Sequence, residues 1–308
     1  MFVPVATSHG IEVFAPETGY ISFFNSPYYS HQHALAVDIY PNTEAFIRSA
    51  PSPVEGTILH VYEAESPRPR YFRAPEIENV IVIVSAQNPH YWVRILHVNC
   101  DREVGTRVNV GDSLGNLERS GFFNFWTAKH MHVEVRRKRE PLRAKGAFPM
   151  EPTNPNQIIE GERESHRSPL LATKVHTDYL LADVHKEIVR IGRFWGLGCT
   201  VNHQIGILDC GLPHYGYGGV HLLESSGIQA GDSVLLWGMD IGQVLCVHKQ
   251  YAIFKCRPLL GFVGTVPLRG LSLYVWLAKT RTIKLVPEKP FTPPQIEGLK
   301  DPIQFRRR

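Results

Sequence analysis

Residues 130–135 read His-Met-His-Val-Glu-Val, and this stretch decides how the first half of the chain folds. Side chains alternate between the two faces of a β-strand, so His130, His132 and Glu134 would share one face. Two imidazoles at this spacing lie roughly 6.5–7 Å apart along a strand, so one can bind a metal while the other stands beside the open coordination position. A solvated strand face with two histidines is the simpler alternative.

A second histidine-rich stretch, residues 31–40, reads HQHALAVDIY and contains an aspartate within an apolar run. Aspartate is disfavoured inside strands and is seldom buried without a partner, so Asp38 needs one. A metal is one such partner; a salt bridge or a hydrogen-bonded turn is the alternative. Another histidine, His97, ends the apolar strand-like run Tyr91–Val98.

The composition favours a mostly β protein. The chain has 308 residues, 43% of them hydrophobic and 20% charged, which is typical of a globular protein and excludes a wholly disordered one. Its length favours two domains, and its 25 glycines and 23 prolines favour short strands joined by turns. The net charge of +4 is too small to indicate a nucleic-acid-binding protein. Strands are predicted at Leu35–Tyr40, Thr57–Tyr62, Val80–Ser85, Tyr91–Val98, Met131–Val135, Ser233–Trp237, Val244–His248, Tyr251–Cys256, Leu271–Leu277 and Thr282–Val286.

The chain divides into four predicted segments. Residues 1–150 form an antiparallel β-sheet or sandwich domain, and the proline-rich, polar residues 151–169 form a linker. Residues 170–287 form a second β-rich domain with about one helix, predicted from Thr177 to about Arg193 because apolar residues recur there every three or four positions. Residues 288–308 hold four prolines and end in three arginines, which predicts a loose tail. No role is predicted for the second domain.

The cysteines and the apolar segments exclude several classes of protein. No CxxC pair occurs among the five cysteines, which excludes a cysteine-based zinc finger or a thioredoxin motif. No signal peptide is recognised at the N-terminus, and no stretch of about 18 apolar residues predicts a membrane span. A cytoplasmic location is therefore expected.

The order of five motifs resembles that of the lysostaphin/LytM-like zinc metallopeptidases, peptidase family M23, with their duplicated hybrid motif-type β-domain. Each motif is common by itself, but all five in this order are not. They are the box from His33 to Asp38, the Pro-Val-x-Gly turn of Ser52–Ile58, the His-Leu strand Ile95–Val98, the Gly-Asp hairpin Val104–Gly115, and Ser120-Gly121 followed by His130–Arg136.

The resemblance implies a zinc-dependent endopeptidase acting on a peptide or peptidoglycan-like substrate. Zinc would be bound by His33, Asp38 and His132, an open three-ligand arrangement. His130 would be the general base, and His97 would hydrogen-bond the attacking water or the oxyanion.

The first box departs from the family pattern, and this leaves two readings open. Asp38 is five positions after His33 where the family spacing is four, and the glycine of the box is absent. His31, seven positions before Asp38, is a competing ligand. The irregular box favours a catalytically inactive module that binds zinc or a protein partner. The retained His97, His130 and His132 favour an enzyme, and Glu134 is expected to orient a ligand from the same strand face.

Overall fold

The protein is described by a computed structural model for residues 1–41, 49–139, 141–153, 159–160, 172–184, 187–280, 282–291 and 303–307. The chain forms two compact units. Unit 1 comprises Met1–Phe23 and Tyr28–Thr153, and unit 2 comprises Phe24–Pro27 and Asn154–Arg308. Strands dominate the described part of both units, which confirms the predicted mostly β fold with a second β-rich domain.

Unit 1 consists of short strands and one four-residue helix, α1 (Tyr29–Gln32). Its strands are β1 (Phe2–Ser8), β2 (Ile11–Pro16), β3 (Tyr20–Ser22), β4 (Val37–Tyr40), β5 (Ser49–Pro51), β6 (Gly56–Glu65), β7 (Ile77–Ser85), β8 (Tyr91–Leu96), β9 (Val98–Cys100), β10 (Arg107–Val108), β11 (Ser113–Leu117), β12 (Met131–Arg137) and β13 (Glu151–Pro152).

The main sheet of unit 1 is antiparallel, with the strand order β3-β4-β12-β8-β7-β6-β10. Strand β12, which begins at the second residue of the HMHVEV stretch, pairs on one side with β4, where His132 lies opposite Asp38. On its other side it pairs with β8, where His132 lies opposite Leu96. Both predicted histidine stretches therefore meet at the centre of this sheet.

The apolar face of β12 packs into the interior of unit 1. Met131, Val133 and Val135 are fully buried, as the alternation of the sequence predicts. Residues of β7 and β8 lie beside them in the same interior, including the fully buried Ile81 and Ile95. Burial of these side chains removes apolar surface from water, which stabilises the sheet and fixes its register.

Unit 2 is built from short antiparallel strands throughout its described residues. They are β14 (Ile159–Glu160), β15 (Ala172–Val175), β16 (Leu180–Asp183), β17 (Ile188–Ile191), β18 (Phe194–Val201), β19 (Gln204–Leu212), β20 (Tyr217–Leu222), β21 (Ser233–Leu236), β22 (Met239–Val247), β23 (Tyr251–Cys256), β24 (Leu259–Val263), β25 (Val266–Leu273), β26 (Val275–Trp276), β27 (Thr282–Pro287) and β28 (Ile303–Arg307). A single cluster of buried apolar side chains forms its core, with Leu208, Val220 and Phe254 among its fully buried members.

The helix predicted from Thr177 to about Arg193 is wrong. This segment contains two strands, β16 and β17, separated by a stretch of which residues 185 and 186 lie outside the described residues. Within each strand burial alternates with a period of two, and the β-branched Ile188, Val189 and Ile191 suit a pleated strand. The apolar residues of two successive strands happen to lie three or four positions apart in the sequence, and this spacing resembles that of one amphipathic helix.

The predicted linker and tail also need correction where they are described. Glu151–Pro152 pairs with β1 and belongs to unit 1, whereas most of the predicted linker 151–169 lies outside the described residues. Ile303–Arg307 pairs along its full length with β24 and is therefore not a loose tail. The apolar Ile303 drives this pairing, because its side chain is 7% exposed and joins the core cluster of unit 2.

Two further observations concern the whole described chain. No helix among the described residues has the length and the apolar composition that spanning a bilayer requires. All five cysteines are free thiols; Cys199 and Cys210 are buried, and Cys246 is exposed.

The position of β28 predicts that substitutions at two neighbouring residues change the stability of unit 2 by different amounts. Ile303→Ala should lower the free energy of unfolding of unit 2 by about 2–5 kcal/mol, because it removes a buried aliphatic side chain. Gln304→Ala, its matched control on the exposed face of the same strand, should change it by about 0.5 kcal/mol or less. Urea unfolding followed by tryptophan fluorescence measures both. Equal, negligible effects would mean that the segment is a loose tail after all.

Candidate metal centre

The candidate site lies at the centre of the main sheet of unit 1. His31, from helix α1, Asp38, from β4, and His132, from β12, each direct one ligating atom to a common point. Among the described residues, this is the group of three or more potential ligands whose atoms all lie within 4.8 Å of one another. All three side chains are buried.

The three ligating atoms form a nearly equilateral triangle. Asp38 Oδ1 is 3.2 Å from His31 Nε2 and 2.9 Å from His132 Nδ1. The two imidazole nitrogens are 3.1 Å apart. A tetrahedral zinc ion with bonds of about 2.0–2.1 Å keeps its ligands roughly 3.3–3.4 Å apart, so the triangle needs to expand by only a few tenths of an ångström.

The outer nitrogens of both imidazoles already donate hydrogen bonds. His31 Nδ1 is 2.8 Å from the carbonyl oxygen of Phe23, and His132 Nε2 is 3.0 Å from Glu134 Oε1. Because these partners only accept, each outer nitrogen carries a proton, and the inner nitrogen of a neutral ring has a lone pair. Ligating histidines in proteins are held in this way. Three electron pairs therefore converge on one point, and only a cation satisfies all of them.

The pKa shifts of Asp38 and His132 are in the direction expected for a cluster that favours positive charge. Burial by itself would raise the pKa of Asp38, but the charges of His31 and His130 and hydrogen bonds from two histidines hold it well below its usual range. Burial would likewise lower the pKa of His132, but its hydrogen bonds to Asp38 and Glu134 raise it to about 9. Without a metal, a proton on His132 therefore takes the place of the cation.

The structure brings His31 to this cluster, and the predicted ligand His33 lies elsewhere. His33 is exposed, with Nδ1 2.9 Å from the carbonyl oxygen of Tyr29. The reason is the backbone between them and Asp38: α1 ends at Gln32, and Ala34 adopts a left-handed conformation with φ of 52°. The chain turns there, which leaves the helical His31 facing inward. Left-handed alanine costs roughly 1–2 kcal/mol, and glycine avoids this cost.

His97 also reaches the site through a left-handed backbone. Leu96 lies opposite His132, so the two share a face of the sheet, and an extended His97 would point to the other face. His97 instead has a φ of 68° and divides the predicted strand Tyr91–Val98 into β8 and β9. Its ring centroid consequently lies 5.3 Å from that of His130 and 6.1 Å from that of His132.

A buried carboxylate that the sequence analysis missed holds His97. Glu78 Oε2 is 2.7 Å from His97 Nδ1, and Ser120 donates a hydrogen bond to the other oxygen of the carboxylate. Burial would raise the pKa of Glu78, but these contacts and one with Ser66 lower it to about 2. Burial lowers the pKa of His97 to about 4, so that its ring is neutral near pH 7.

His130 occupies the position beside the cluster that its spacing from His132 predicts. Its ring lies between those of Tyr40 and Phe123, with centroids 4.6 and 4.4 Å away. His130 Nδ1 is 2.9 Å from the carbonyl oxygen of Ala128, to which it donates. His130 Nε2 is 3.3 Å from Asp38 Oδ2, the carboxylate oxygen that faces away from the triangle.

Glu134 lies where the strand alternation predicts and orients His132. Its Oε1 accepts from His132 and from Ser30. Its Oε2 is 2.8 Å from Arg94 Nη2 and 2.8 Å from Arg136 Nη1. This buried network lowers the pKa of Glu134 against the effect of burial. Because Glu134 stays charged, it remains a strong acceptor for the outer nitrogen of His132.

The donor set fits a zinc ion. Two neutral imidazoles and one carboxylate are ligands that zinc prefers, and three protein ligands leave a further coordination position open. Two histidines and a carboxylate also bind ferrous iron in oxygenases, so metal analysis has to distinguish these two ions.

Comparisons with known proteins add the following. A family described as "Domain of unknown function (DUF8155) N-terminal domain" matches residues 12–152. The NMR solution structure of lysostaphin is similar to this chain with a TM-score of 0.28 and 13% identity, covering 81% of this chain and 99% of that one. A search among curated proteins found no match. A TM-score of this size does not establish a shared fold.

The geometry predicts opposite results for two neighbouring histidines. His31→Ala should lose the bound metal, because it removes one of three ligands. His33→Ala, its matched control, should retain about one metal ion per chain. Elemental analysis of the purified proteins measures zinc and iron together. Metal loss in His33→Ala with retention in His31→Ala would restore the sequence-based ligand assignment.

The raised pKa of His132 predicts how the stability of chelator-treated protein depends on pH. A histidine whose folded pKa exceeds its unfolded value of about 6.5 stabilises fully below pH 6.5, and this contribution is lost as the pH rises through about 9. Unfolding free energy should thus fall above pH 6.5, by up to about 3 kcal/mol. His97 does not contribute in this window, since its pKa is lowered to about 4.

Urea unfolding of chelator-treated wild type and His132→Gln, compared at several pH values from 6.5 to 9, measures this effect. The glutamine variant cannot take up the proton, so the difference between the two proteins isolates His132. Parallel curves would show that His132 has an ordinary pKa.

Proposed function

We propose that unit 1 is a zinc-dependent hydrolase that cleaves peptide bonds. The observation that carries the proposal is the convergence of His31 Nε2, Asp38 Oδ1 and His132 Nδ1 on one point, with two further histidines beside it. The motif order from the first box to the HMHVEV strand resembles that of zinc metallopeptidases, and this supports zinc over iron and a peptide substrate. Bound zinc supplies a Lewis acid that lowers the pKa of water towards about 7.

The tautomers of the two further histidines favour different roles from those that the sequence suggested. His97 donates through Nδ1 to Glu78, so its Nε2 has the lone pair that a proton acceptor needs. His130 donates through Nδ1 to a carbonyl oxygen, and its Nε2 faces Asp38 Oδ2 at 3.3 Å. The carboxylate oxygen is an acceptor, so His130 Nε2 is placed as a hydrogen-bond donor rather than as a proton acceptor. We therefore assign proton uptake to His97 Nε2 and stabilisation of negative charge to His130 Nε2.

The substrate class follows from the motif resemblance, which implies peptide or peptidoglycan-like substrates. Cross-bridge peptides rich in glycine or alanine are thus the first substrates to test. The chemistry itself requires only a carbonyl carbon within reach of the open coordination position and of His97.

One observation favours the alternative function, an inactive module that binds zinc or a protein partner. His130 and His97 are only 4% and 6% exposed, so little of either ring is open to a substrate. Stacking of His130 on Phe123 at 17° further encloses it. A module that binds zinc for stability alone needs the triangle of ligands but neither of these two histidines.

His130→Ala separates the two functions. His130 does not belong to the triangle of ligands, so the variant should keep its zinc and lose turnover by a factor of about 10²–10³, the cost of removing a group that stabilises negative charge. The assay is cleavage of a mixed peptide library with glycine-rich and alanine-rich members, with a chelator as inhibitor. His33→Ala is the matched control, because it removes an exposed histidine and should cleave as wild type does.

One outcome would overturn the hydrolase, and another would overturn only the role of His130. Wild type that cleaves no library member in a chelator-sensitive way supports the binding module. Chelator-sensitive cleavage that survives unchanged in His130→Ala keeps the hydrolase but removes His130 from its machinery.

A further inference from the structure

The carboxylate of Glu78 is among the most buried acidic groups of unit 1. Its hydrogen bonds described above join it to His97 and Ser120 and not to the three ligating atoms of the triangle. A buried carboxylate is costly unless it is fully hydrogen-bonded. Both of its oxygens are used: one is bonded to His97 Nδ1 and the other accepts from Ser120. The buried charge of Glu78 therefore contacts the candidate site through His97.

Sheet register places Glu78 on the face of β7 that carries the site. Val80 lies opposite Leu96 across β7 and β8, and Leu96 lies opposite His132 across β8 and β12. Directly opposed residues share a face, and residues two apart on a strand share it too, so Glu78 belongs to the face of His132. The left-handed turn at His97 then brings the imidazole to this carboxylate.

A second contact fixes the loop that supports the carboxylate. Gly121 donates its backbone N–H to Ser66 Oγ at 3.0 Å. A Cβ at Gly121 would lie 1.8 Å from the carbonyl oxygen of Pro67, so only glycine permits this approach. Ser120, the residue before it, is thereby held against Glu78, and the carboxylate has one orientation.

We propose that Glu78 is the positioning residue of His97: it fixes the imidazole with its proton on Nδ1, so that Nε2 remains available as a proton acceptor. A carboxylate accepts a hydrogen bond about twice as strongly as a neutral group does, which selects one tautomer and one ring orientation. The part of this inference that concerns turnover rests on the proposed hydrolase function. The part that concerns the tautomer does not.

The tautomer of His97 is measured directly by long-range ¹H–¹⁵N correlation in protein labelled at histidine nitrogens. His97→Gln identifies the signal. In wild type at pH 7, His97 should be the Nδ1–H tautomer. In Glu78→Gln, which keeps the size of the side chain but removes the charge, the ratio of the two tautomers should move towards Nε2–H by about tenfold. Glu76→Gln is the matched control, since Glu76 is an exposed glutamate that pairs with Arg68, and it should change nothing.

Kinetics provide the second readout. With a peptide that wild type cleaves, Glu78→Gln should lower kcat by about 10–100-fold with KM within about twofold, and zinc content should equal that of wild type. A structural role alone would lower the amount of folded protein and leave the kcat of the folded fraction unchanged.

The outcomes separate this inference from the proposed function. An Nε2–H tautomer of His97 in wild type overturns the role of Glu78, whether or not Glu78→Gln folds. A wild-type tautomer ratio in folded Glu78→Gln overturns it as well. If wild type cleaves no peptide while the tautomer depends on Glu78 as expected, the hydrolase fails and the positioning role stands.

Discussion

Three electron pairs meet at one buried point in unit 1, and much of the surrounding structure serves to keep them there. His31, Asp38 and His132 come from a helix and two strands, yet their ligating atoms lie 2.9–3.2 Å apart. Such a group repels itself unless a positive charge sits among its members. A zinc ion meets this requirement, and a proton on His132 meets it when no metal is bound. The same electrostatic demand thus explains why the donor set fits a cation and why the pKa of His132 is raised.

Around this point, each imidazole has a partner that decides which nitrogen carries its proton. Phe23 and Ala128 supply backbone carbonyls to His31 and His130, and Glu134 supplies a carboxylate to His132. Glu134 is in turn held by two buried arginines, and Arg94 Nη1 and Arg136 Nη2 also donate to the carbonyl oxygens of residues 141, 143 and 145. A loop well outside the site therefore contributes to the orientation of a ligand.

The backbone is strained at two residues beside the candidate site. Ala34 and His97 both have left-handed conformations that cost free energy in residues other than glycine. Both lie where the chain leaves a regular element, and both turn a histidine towards the ligand triangle. Strain of this kind persists only when the surrounding contacts over-determine it. Here the sheet register and the buried carboxylates supply those contacts.

The sequence by itself determined the strand that carries His132 and Glu134, the need of Asp38 for a partner, and the mostly β class of both units. These follow from the alternation of side chains and from the cost of burying a charge, which are local properties. A carboxylate within an apolar run singled out Asp38, whereas Glu78 precedes the apolar run of its strand and has the polar Glu76 and Asn79 beside it.

Only the tertiary structure decided between His31 and His33. It alone decided the break of the strand at His97 and the pairing of Glu78 with His97. The strands at 180–183, 188–191 and 303–307 also depended on it. Each of these depends on a backbone turn or a cross-strand register. Both are set by contacts between residues far apart in the chain, so no local pattern of side chains contains them.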